Sequence, residues 1–139
     1  MGLDNMISVK IKDKTKFTEN ELLHLGTYHK YDDSYELMYW RKCWNIREVI
    51  MYKMHTAGLR TVNDCSEDMP MPVDFLKSLI YTLNQCYTPE WWQEHDDSIW
   101  SFEDICENMH GELIDAMVAV YILEQKDPDS YEIDFIDSY

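Results

Sequence analysis

Two long segments of this chain carry apolar side chains at helical spacing, and they constrain the fold more than any other feature. The first spans residues 34–57, and its apolar positions form two adjacent lines that together make a wide stripe. The second spans residues 101–126 and ends before Pro128, because proline cannot continue a helix. A stripe of this width is buried against other elements, so we expect both helices to contribute to one core.

Both ends of the chain show the pattern of β-strands. Residues 6–12 alternate between apolar and polar side chains, and Ile7, Val9 and Ile11 fall on one side of the segment. Residues 131–136 are rich in side chains that favour strands. The simplest arrangement pairs the two terminal strands beside a helical body.

Capping signals predict three shorter helices, at residues 18–26, 72–86 and 88–93. The segments 27–33 and 61–71 are expected to be connections, and no internal repeat or linker divides the chain. We therefore predict an α+β fold in which residues 1–139 form a mainly helical single domain. It should have two long helices, shorter helices and a small sheet made from the N- and C-terminal strands.

Charge is distributed very unevenly along the sequence. Residues 1–60 carry a net charge of +2 and residues 61–139 a net charge of −17, which gives the chain its total of −15. A surface with such an excess of carboxylates repels nucleic acid and attracts basic proteins. We therefore expect a partner with a basic surface and no direct binding of nucleic acid.

Cysteine spacing and hydropathy indicate the compartment. The four cysteines lie about twenty residues apart and form no C-x-x-C pair, which favours structural thiols in a reducing environment. No apolar run reaches the ~18–20 residues that a membrane span requires. The sequence therefore predicts a cytoplasmic protein that binds no membrane, and it leaves a homodimer open.

The first 86 residues contain a set of motifs that point to a family. The chain begins Met1-Gly2-Leu3-Asp4, continues with Tyr39-Trp40-Arg41-Lys42 and Asn45-Ile46, and later has Asp64-Cys65 before a leucine-rich helix that ends at Cys86. In these motifs it resembles a group of small uncharacterised proteins that are common in bacteriophages and prophages. It departs from their pattern at Arg47, where they have histidine. The resemblance implies a phage setting and no particular chemistry.

The sequence contains no evident catalytic constellation. Two E-x-x-H spacings occur, Glu21/His24 and Glu107/His110, but the bridging carboxylates that a di-iron site needs on two further helices are absent. Four glycines build neither a P-loop nor a dinucleotide-binding motif, and no serine lies in a nucleophile-elbow context. We predict that the chain is not an enzyme and uses no metal or cofactor. A metal-dependent enzyme at an E-x-x-H site is kept as the second alternative.

Tryptophans and carboxylates are concentrated just before and within the last predicted helix. Aromatic anchors bring a large contact area at low entropic cost, and carboxylates around them suit a groove lined with Lys and Arg. The alternative is that one tryptophan is buried, another covers the core, and the carboxylates are only solvated. The predicted partner-binding residues are Trp91, Trp92, Glu94, Asp96, Asp97, Trp100, Glu103, Asp104 and Glu107.

These features favour a non-catalytic, phage-encoded inhibitor. It would occlude the basic, nucleic-acid-binding surface of a host defence or replication protein, as anti-CRISPR proteins of the DNA-mimic type do. Carboxylates would then take the place of phosphates, and association would be fast and sensitive to salt.

A second cluster supports an alternative function. Trp40, Arg41, Lys42, Trp44 and Asn45 lie in the predicted central helix. There the tryptophans could stack a base while the cations and the amide hold an anionic group. That arrangement would make the chain a sponge for a nucleotide signal. The other interpretation of these cations is that they form internal salt bridges with the acidic half.

Overall fold

The computed structural model describes residues 4–60, 68–95 and 102–138, and it describes the side chains of the last range from residue 111 onward. Two short 3-10 turns, Lys14–Lys16 and Pro128–Ser130, precede α1 and β5. The helices and strands in chain order are β1 (Asp4–Ile11), α1 (Glu19–Leu23), β2 (Thr27–His29), β3 (Ser34–Arg41), α2 (Trp44–Thr56), β4 (Asp68–Met71), α3 (Val73–Cys86), α4 (Pro89–Glu94), α5 (Phe102–Glu124) and β5 (Tyr131–Ser138).

The strands form one antiparallel sheet in the order β2-β3-β1-β5-β4. The terminal strands β1 and β5 pair directly along their length, from Asp4 opposite Ser138 to Ile11 opposite Tyr131. β3 pairs with the other edge of β1. The α+β fold and the pairing of the two chain ends, both predicted from the sequence, are therefore confirmed.

The helices pack on one face of this sheet. Ile7 and Val9 of β1 and Ile133 and Phe135 of β5 project from that face and are buried in one cluster with the apolar sides of the helices. Each buried aliphatic side chain contributes about 1.5–3 kcal/mol through its removal from water, so this cluster holds the two layers together. None of the helices within the described ranges is long and apolar enough to cross a membrane.

The opposite face of the sheet is mixed, with polar side chains next to Met6, Tyr39 and Ile136. Side chains alternate along a strand, so Ser8 of β1 and Glu132 and Asp134 of β5 lie on the face away from the core. The register places Ser8 directly between Glu36 of β3 and Asp134 of β5. In an antiparallel sheet, one face commonly packs against the core while the other faces away from it.

Residues 34–57 do not form the single long helix that the periodicity predicts. Their first part, Ser34–Arg41, is strand β3, and α2 begins only at Trp44. Lys42 separates the two elements, because it adopts a left-handed backbone conformation with a φ of 53°. The prediction of one central helix is therefore wrong in its first third.

A β-bulge in β3 explains this misinterpretation. Ile7 pairs with Met38 and the next residue, Ser8, pairs with Glu36, so Leu37 is an extra residue in the ladder. Buried positions of β3 consequently no longer alternate with exposed ones: they fall at 34, 35, 37, 38 and 40, so equivalent positions recur three residues apart. That spacing imitates the apolar pattern of a helix.

Two of the shorter helices, α1 and α4, follow their predicted capping signals, whereas α3 begins after Pro72 without a side-chain cap. In α1, the Thr18 hydroxyl accepts a hydrogen bond from the Glu21 N–H at 3.1 Å, and the Glu21 carboxylate accepts one from the Thr18 N–H at 2.8 Å. The Thr88 hydroxyl caps α4 by accepting from the Trp91 N–H at 3.2 Å. By contrast, β2 and β4 lie in segments that were expected to be connections. Each strand is too short to show a periodic pattern, so the sequence did not predict it.

A buried ion pair connects α2 to the carboxyl-terminal strand. The Arg47 guanidinium donates from Nε to Asp137 Oδ1 at 2.8 Å and from Nη2 to Oδ2 at 2.7 Å. Asn5 donates from Nδ2 to the same Oδ1 at 2.7 Å. The three side chains belong to α2, β5 and β1, so this network fixes the helix against both terminal strands.

Candidate functional site

The predicted tryptophan and carboxylate patch is only partly at the surface. Trp92 is buried, and its side chain anchors α4 on the core. Trp91 is partly buried and stacks on His95, with ring centroids 4.3 Å apart and an angle of 11° between the rings. His95 also donates from Nδ1 to the Trp91 carbonyl oxygen at 2.8 Å. Trp91 and the exposed Glu94 can contact a partner, whereas Trp92 serves the core.

The other members of that patch lie outside what the structure describes. Three precede α5 in an undescribed segment, and three belong to the first turns of α5, where side chains are not described. Their role stays a prediction from the sequence. These residues are Asp96, Asp97, Trp100, Glu103, Asp104 and Glu107.

The structure divides the cluster considered for a nucleotide between two elements. Trp40 lies in β3, is buried, and donates from Nε1 to the Tyr87 hydroxyl at 3.3 Å. Asn45 is buried at the start of α2, where its Oδ1 accepts from the Ile46 N–H at 2.8 Å. Its Nδ2 donates to the His95 carbonyl oxygen at 3.0 Å. Both side chains are therefore buried and already hydrogen-bonded within the fold.

The remaining members of that cluster surround the turn between β3 and α2. Arg41 is exposed at the end of β3, with 4.0 Å between its Nε and Asp4 Oδ1. Lys42 follows it in the turn. Trp44 is exposed, and the Arg47 guanidinium carbon lies 5.8 Å from its ring centroid. Arg41 thus lies near Asp4 of its own half of the chain, so the pairing of Arg41 and Lys42 with the acidic half stays a prediction.

Carboxylates from separate parts of the chain meet where α5 leads into β5. Asp74 and Glu132 line one cavity of about 370 Å³ together with Tyr131 and Pro128. Burial, followed by the charges of Asp74 and Glu124, raises the pKa of the Tyr131 hydroxyl, so these carboxylates lie close to that ring. We call this surface the acidic edge, and its members are Asp68, Asp74, Glu124, Asp127, Asp129, Glu132 and Asp134.

Three described lysines partly offset the acidic edge, and one of them, Lys10, lies opposite Glu132 in the ladder. Lys77 pairs with Glu124 at 2.8 Å, but Lys126, the other lysine of residues 61–139, pairs with Glu21 of the first half at 2.9 Å. Lys12 lines the cavity beside Tyr131. Four exposed members of the edge form no ion pair with another described residue, and these are Asp68, Asp74, Asp127 and Asp129.

The acidic edge and the tryptophan patch lie at opposite ends of α3. Asp74 occupies the first turn of that helix, whereas α4 follows its last residue, Cys86. A helix of 14 residues is about 20 Å long. Among the described residues, Glu94 and the acidic edge are therefore presented in two separate places.

Asp134 is the buried member of the acidic edge. It lies on the face of the sheet away from the core, opposite Ser8 in the ladder. Burial, a hydrogen bond with Glu132, and the charges of Glu132 and Asp68 raise the pKa of Asp134 to about 6, while Lys10 opposes the shift. The carboxyl group of Asp134 therefore changes its charge close to neutral pH.

Replacing Asp134 with asparagine is expected to raise the free energy of unfolding by about 2 kcal/mol near pH 8 and to leave it nearly unchanged near pH 4. The pKa of Asp134 in the folded protein lies above its ordinary value of 3.8, so folding favours the protonated form. This contribution to stability is complete below about pH 4 and is lost as the pH rises through about 6. Urea unfolding at both pH values measures it.

The matched control for this prediction is Glu90→Gln, which removes an exposed carboxylate and changes the net charge equally. An Asp134→Asn variant that has the same effect near pH 4 and near pH 8 would contradict the burial and crowding of this carboxyl group.

Glu112 is a carboxylate of α5 that is not fully exposed. Its side chain is partly buried, and its Oε2 has no hydrogen-bond partner among the described residues. Burial, followed by the charges of Glu36 and Asp115, raises the pKa of Glu112 to about 7. The sequence does not distinguish Glu112 from the exposed Asp115, since the difference depends on how α5 lies on the sheet.

The first E-x-x-H pair has structural contacts. Glu21 caps α1 and pairs with Lys126, and His24 donates from Nδ1 to the Asn20 carbonyl oxygen at 2.8 Å. Within the described part of the chain, no group of three or more His, Cys, Asp or Glu side chains is placed to hold a metal ion. The second pair, Glu107 and His110, lies among the side chains that are not described.

Two of the four cysteines, Cys43 and Cys86, are described, and both are reduced and buried. Burial raises the pKa of the Cys86 thiol to about 11, which disfavours the thiolate that a nucleophile or a metal ligand requires. Cys65 and the side chain of Cys106 lie outside the described set.

Comparisons of this chain with protein-family models, with curated proteins and with solved structures gave no match. The kinship with phage proteins therefore stays an expectation from the motifs. The surface chemistry of the chain itself is the basis for assigning a function.

Proposed function

We propose that this chain is a non-catalytic binding protein whose acidic edge occupies a basic, nucleic-acid-binding surface of another protein. The observation that carries the proposal is the convergence of carboxylates from β4, α3, α5 and β5, several of them exposed and without an ion pair among the described residues. Carboxylates accept charge-assisted hydrogen bonds from Lys and Arg, as backbone phosphates do. The chain would thus compete with nucleic acid for the same cations.

The phage resemblance gives this proposal its biological setting. A phage-encoded protein that blocks a nucleic-acid-binding surface would inhibit a host defence or replication protein in the host cytoplasm. Anti-CRISPR proteins of the DNA-mimic type act in this manner. The acidic edge is built on strands and helix ends, so its charges are held in place before binding, and this preorganisation favours affinity.

The electrostatic origin of the proposed binding has a measurable consequence. Opposite charges increase the association rate, and dissolved salt screens exposed charges over a Debye length of about 10 Å at 0.1 M. The complex should therefore form rapidly at low salt and weaken as salt is added.

Capture from a bacterial lysate tests the proposal. The immobilised chain is expected to retain basic, nucleic-acid-binding proteins at about 0.1 M salt, and mass spectrometry would identify them. Duplex DNA, or salt at about 0.5 M, is expected to release them. Retention of acidic proteins only, or of proteins that neither salt nor DNA releases, would contradict the proposal.

A nucleotide sponge is the second candidate. Asn45 lines a cavity of about 650 Å³ between α2, α3 and α4, together with Tyr52 and Lys53, and a cavity of this size accepts a nucleotide. Against it, Trp40 is buried and Arg41 lies beside Asp4. Thermal unfolding with cyclic and linear nucleotides distinguishes the two functions, because a bound ligand stabilises the fold by RT ln(1 + [L]/Kd). An unchanged unfolding temperature would favour the protein-binding function.

A further inference from the structure

A second, apolar surface lies between α3 and α5 and adjoins the acidic edge at one end. The two helices pack against each other, and their outer sides form a cleft of about 670 Å³. Tyr81, Ile114 and Tyr121 expose 69%, 66% and 68% of their surface there. Large apolar side chains that are exposed side by side mark an interaction site. Lining residues include Lys77, Ile80, Tyr81, Ile114, Met117 and Tyr121.

The cleft has the form of a helix-binding groove. Its lining residues recur every three or four positions along each helix, from Lys77 to Asn84 on α3 and from Ile114 to Tyr121 on α5. Seven residues of helix correspond to about 10 Å, which is the distance covered by positions i, i+3, i+4 and i+7 of a third helix. The apolar side of an amphipathic helix therefore matches the cleft in length and in spacing.

Acidic side chains lie at one end of the cleft. Lys77, a lining cation, donates a hydrogen bond to Glu124 at 2.8 Å. Glu124, and more weakly Asp74, raise the pKa of Lys77, so both carboxylates lie at this end of the cleft. Asp115 is exposed next to Ile114 on α5. This rim attracts cations, whereas a second copy of the chain would bring another net charge of −15.

We propose that the cleft between α3 and α5 binds a basic amphipathic helix of a partner protein. Leu-like residues of that helix would contact Ile114 and Met117, and methionine adapts to irregular apolar surfaces. Lys or Arg side chains at its margins would lie over the rings of Tyr81 and Tyr121 and next to the acidic rim. This site adjoins the acidic edge at Asp74 and Glu124, but its apolar lining is separate, so a helix can bind there whether or not that edge binds a nucleic-acid-binding protein.

Synthetic peptides test the proposal. A peptide of Leu and Lys, with Leu at helical spacing over about five turns, is expected to bind at about micromolar concentration and to become helical on binding. Two control peptides are expected to bind about tenfold more weakly or less: a scrambled peptide of the same composition, and one with Glu in place of Lys. Equal binding of the scrambled peptide would indicate attraction by charge alone. Equal binding of the Glu peptide would show that the rim does not select cations, and either result would overturn the proposal.

A pair of matched variants locates the binding. Ile114→Ser with Tyr121→Ser is expected to weaken binding of the Leu/Lys peptide about tenfold, because it removes two apolar contacts from the cleft. Leu23→Ser with Tyr31→Ser removes side chains that are 79% and 103% exposed and lie away from the cleft, so binding should not change. Circular dichroism and urea unfolding verify that both variants fold.

Two outcomes of the variant experiment would overturn the proposal. One is unchanged peptide binding by the folded cleft variant. The other is a sedimentation measurement in which the parent chain is a dimer and the cleft variant is a monomer, because a second copy would then occupy the cleft.

Discussion

Replacing Arg47 with methionine is expected to lower the free energy of unfolding by about 3–5 kcal/mol. The side chains of Arg47 and Asp137 are only 15% and 4% exposed, and both nitrogens of the Arg47 fork reach the Asp137 carboxylate. Methionine has a similar volume but no charge, so the variant leaves a buried carboxylate with only Asn5 as a hydrogen-bond donor in the network described above. Leaving one ion of a buried pair without its partner destabilises the folded protein far more than the intact pair stabilises it.

Urea unfolding measures this loss, and an exposed ion pair provides the control. Lys14 and Asp33 pair at 3.0 Å with side chains that are 52% and 51% exposed, so Lys14→Met should cost far less stability than Arg47→Met. Replacing both partners, Arg47→Met with Asp137→Leu, should recover part of the stability because no buried charge remains. An Arg47→Met variant that loses no more stability than Lys14→Met would contradict a buried role for this pair.

Replacing Gly26 with alanine is expected to lower the free energy of unfolding by about 3 kcal/mol or more. Gly26 precedes β2 with a φ of +109°, a conformation that strains any residue with a Cβ atom. An added Cβ would also overlap the Glu36 carbonyl group and lie 3.3 Å from the Leu37 Cα. Both obstacles are backbone atoms of β3 at its bulge, so neither can move aside without breaking the ladder.

Substitutions at two other glycines distinguish the cost of backbone strain from the cost of steric overlap. Gly58 has a φ of +75° with open space around its added Cβ, so Gly58→Ala should cost about 1 kcal/mol through strain alone. Gly111 lies within α5 with equally open space, and Gly111→Ala should stabilise by up to about 1 kcal/mol. A Gly26→Ala variant no less stable than Gly58→Ala would contradict the close approach of residue 26 to β3.

The sequence predicted the elements whose patterns are complete within one segment. β1 alternates without interruption, and α3 shows its apolar stripe between Pro72 and Cys86, so both were predictable from local periodicity. The terminal strands could also be paired, since few other strand signals compete with them. Local patterns thus sufficed for the fold class and for the centre of the sheet.

The boundary between β3 and α2 could not be predicted from the sequence. The bulge at Leu37 disturbs the alternation of β3, and no glycine or proline separates the strand from the helix. Lys42 makes the turn in a left-handed conformation that lysine seldom adopts. The residues assigned to one helical cluster, Trp40 to Asn45, therefore belong to two elements.

The candidate sites could be predicted less well than the fold, because they depend on tertiary contacts. Trp91 and Trp92 are adjacent in sequence, and only packing determines that Trp92 enters the core while Trp91 stacks on His95. The acidic edge joins residues 68–74 with residues 124–134, which become neighbours when β4 pairs with β5. The sequence predicted the sign of the surface charge, but its location required the fold.

Competition between this chain and duplex DNA for a captured basic protein tests the central claim most directly. The parent chain is expected to displace the DNA at low salt. A variant with Asp68→Asn, Asp127→Asn and Asp129→Asn should need about tenfold more protein for the same displacement, because it lacks three exposed charges of the acidic edge. A control with Glu19→Gln, Asp32→Asn and Glu48→Gln loses as much charge elsewhere and should match the parent. Equal displacement by the edge variant, or simultaneous binding of DNA and the parent chain, would contradict the claim.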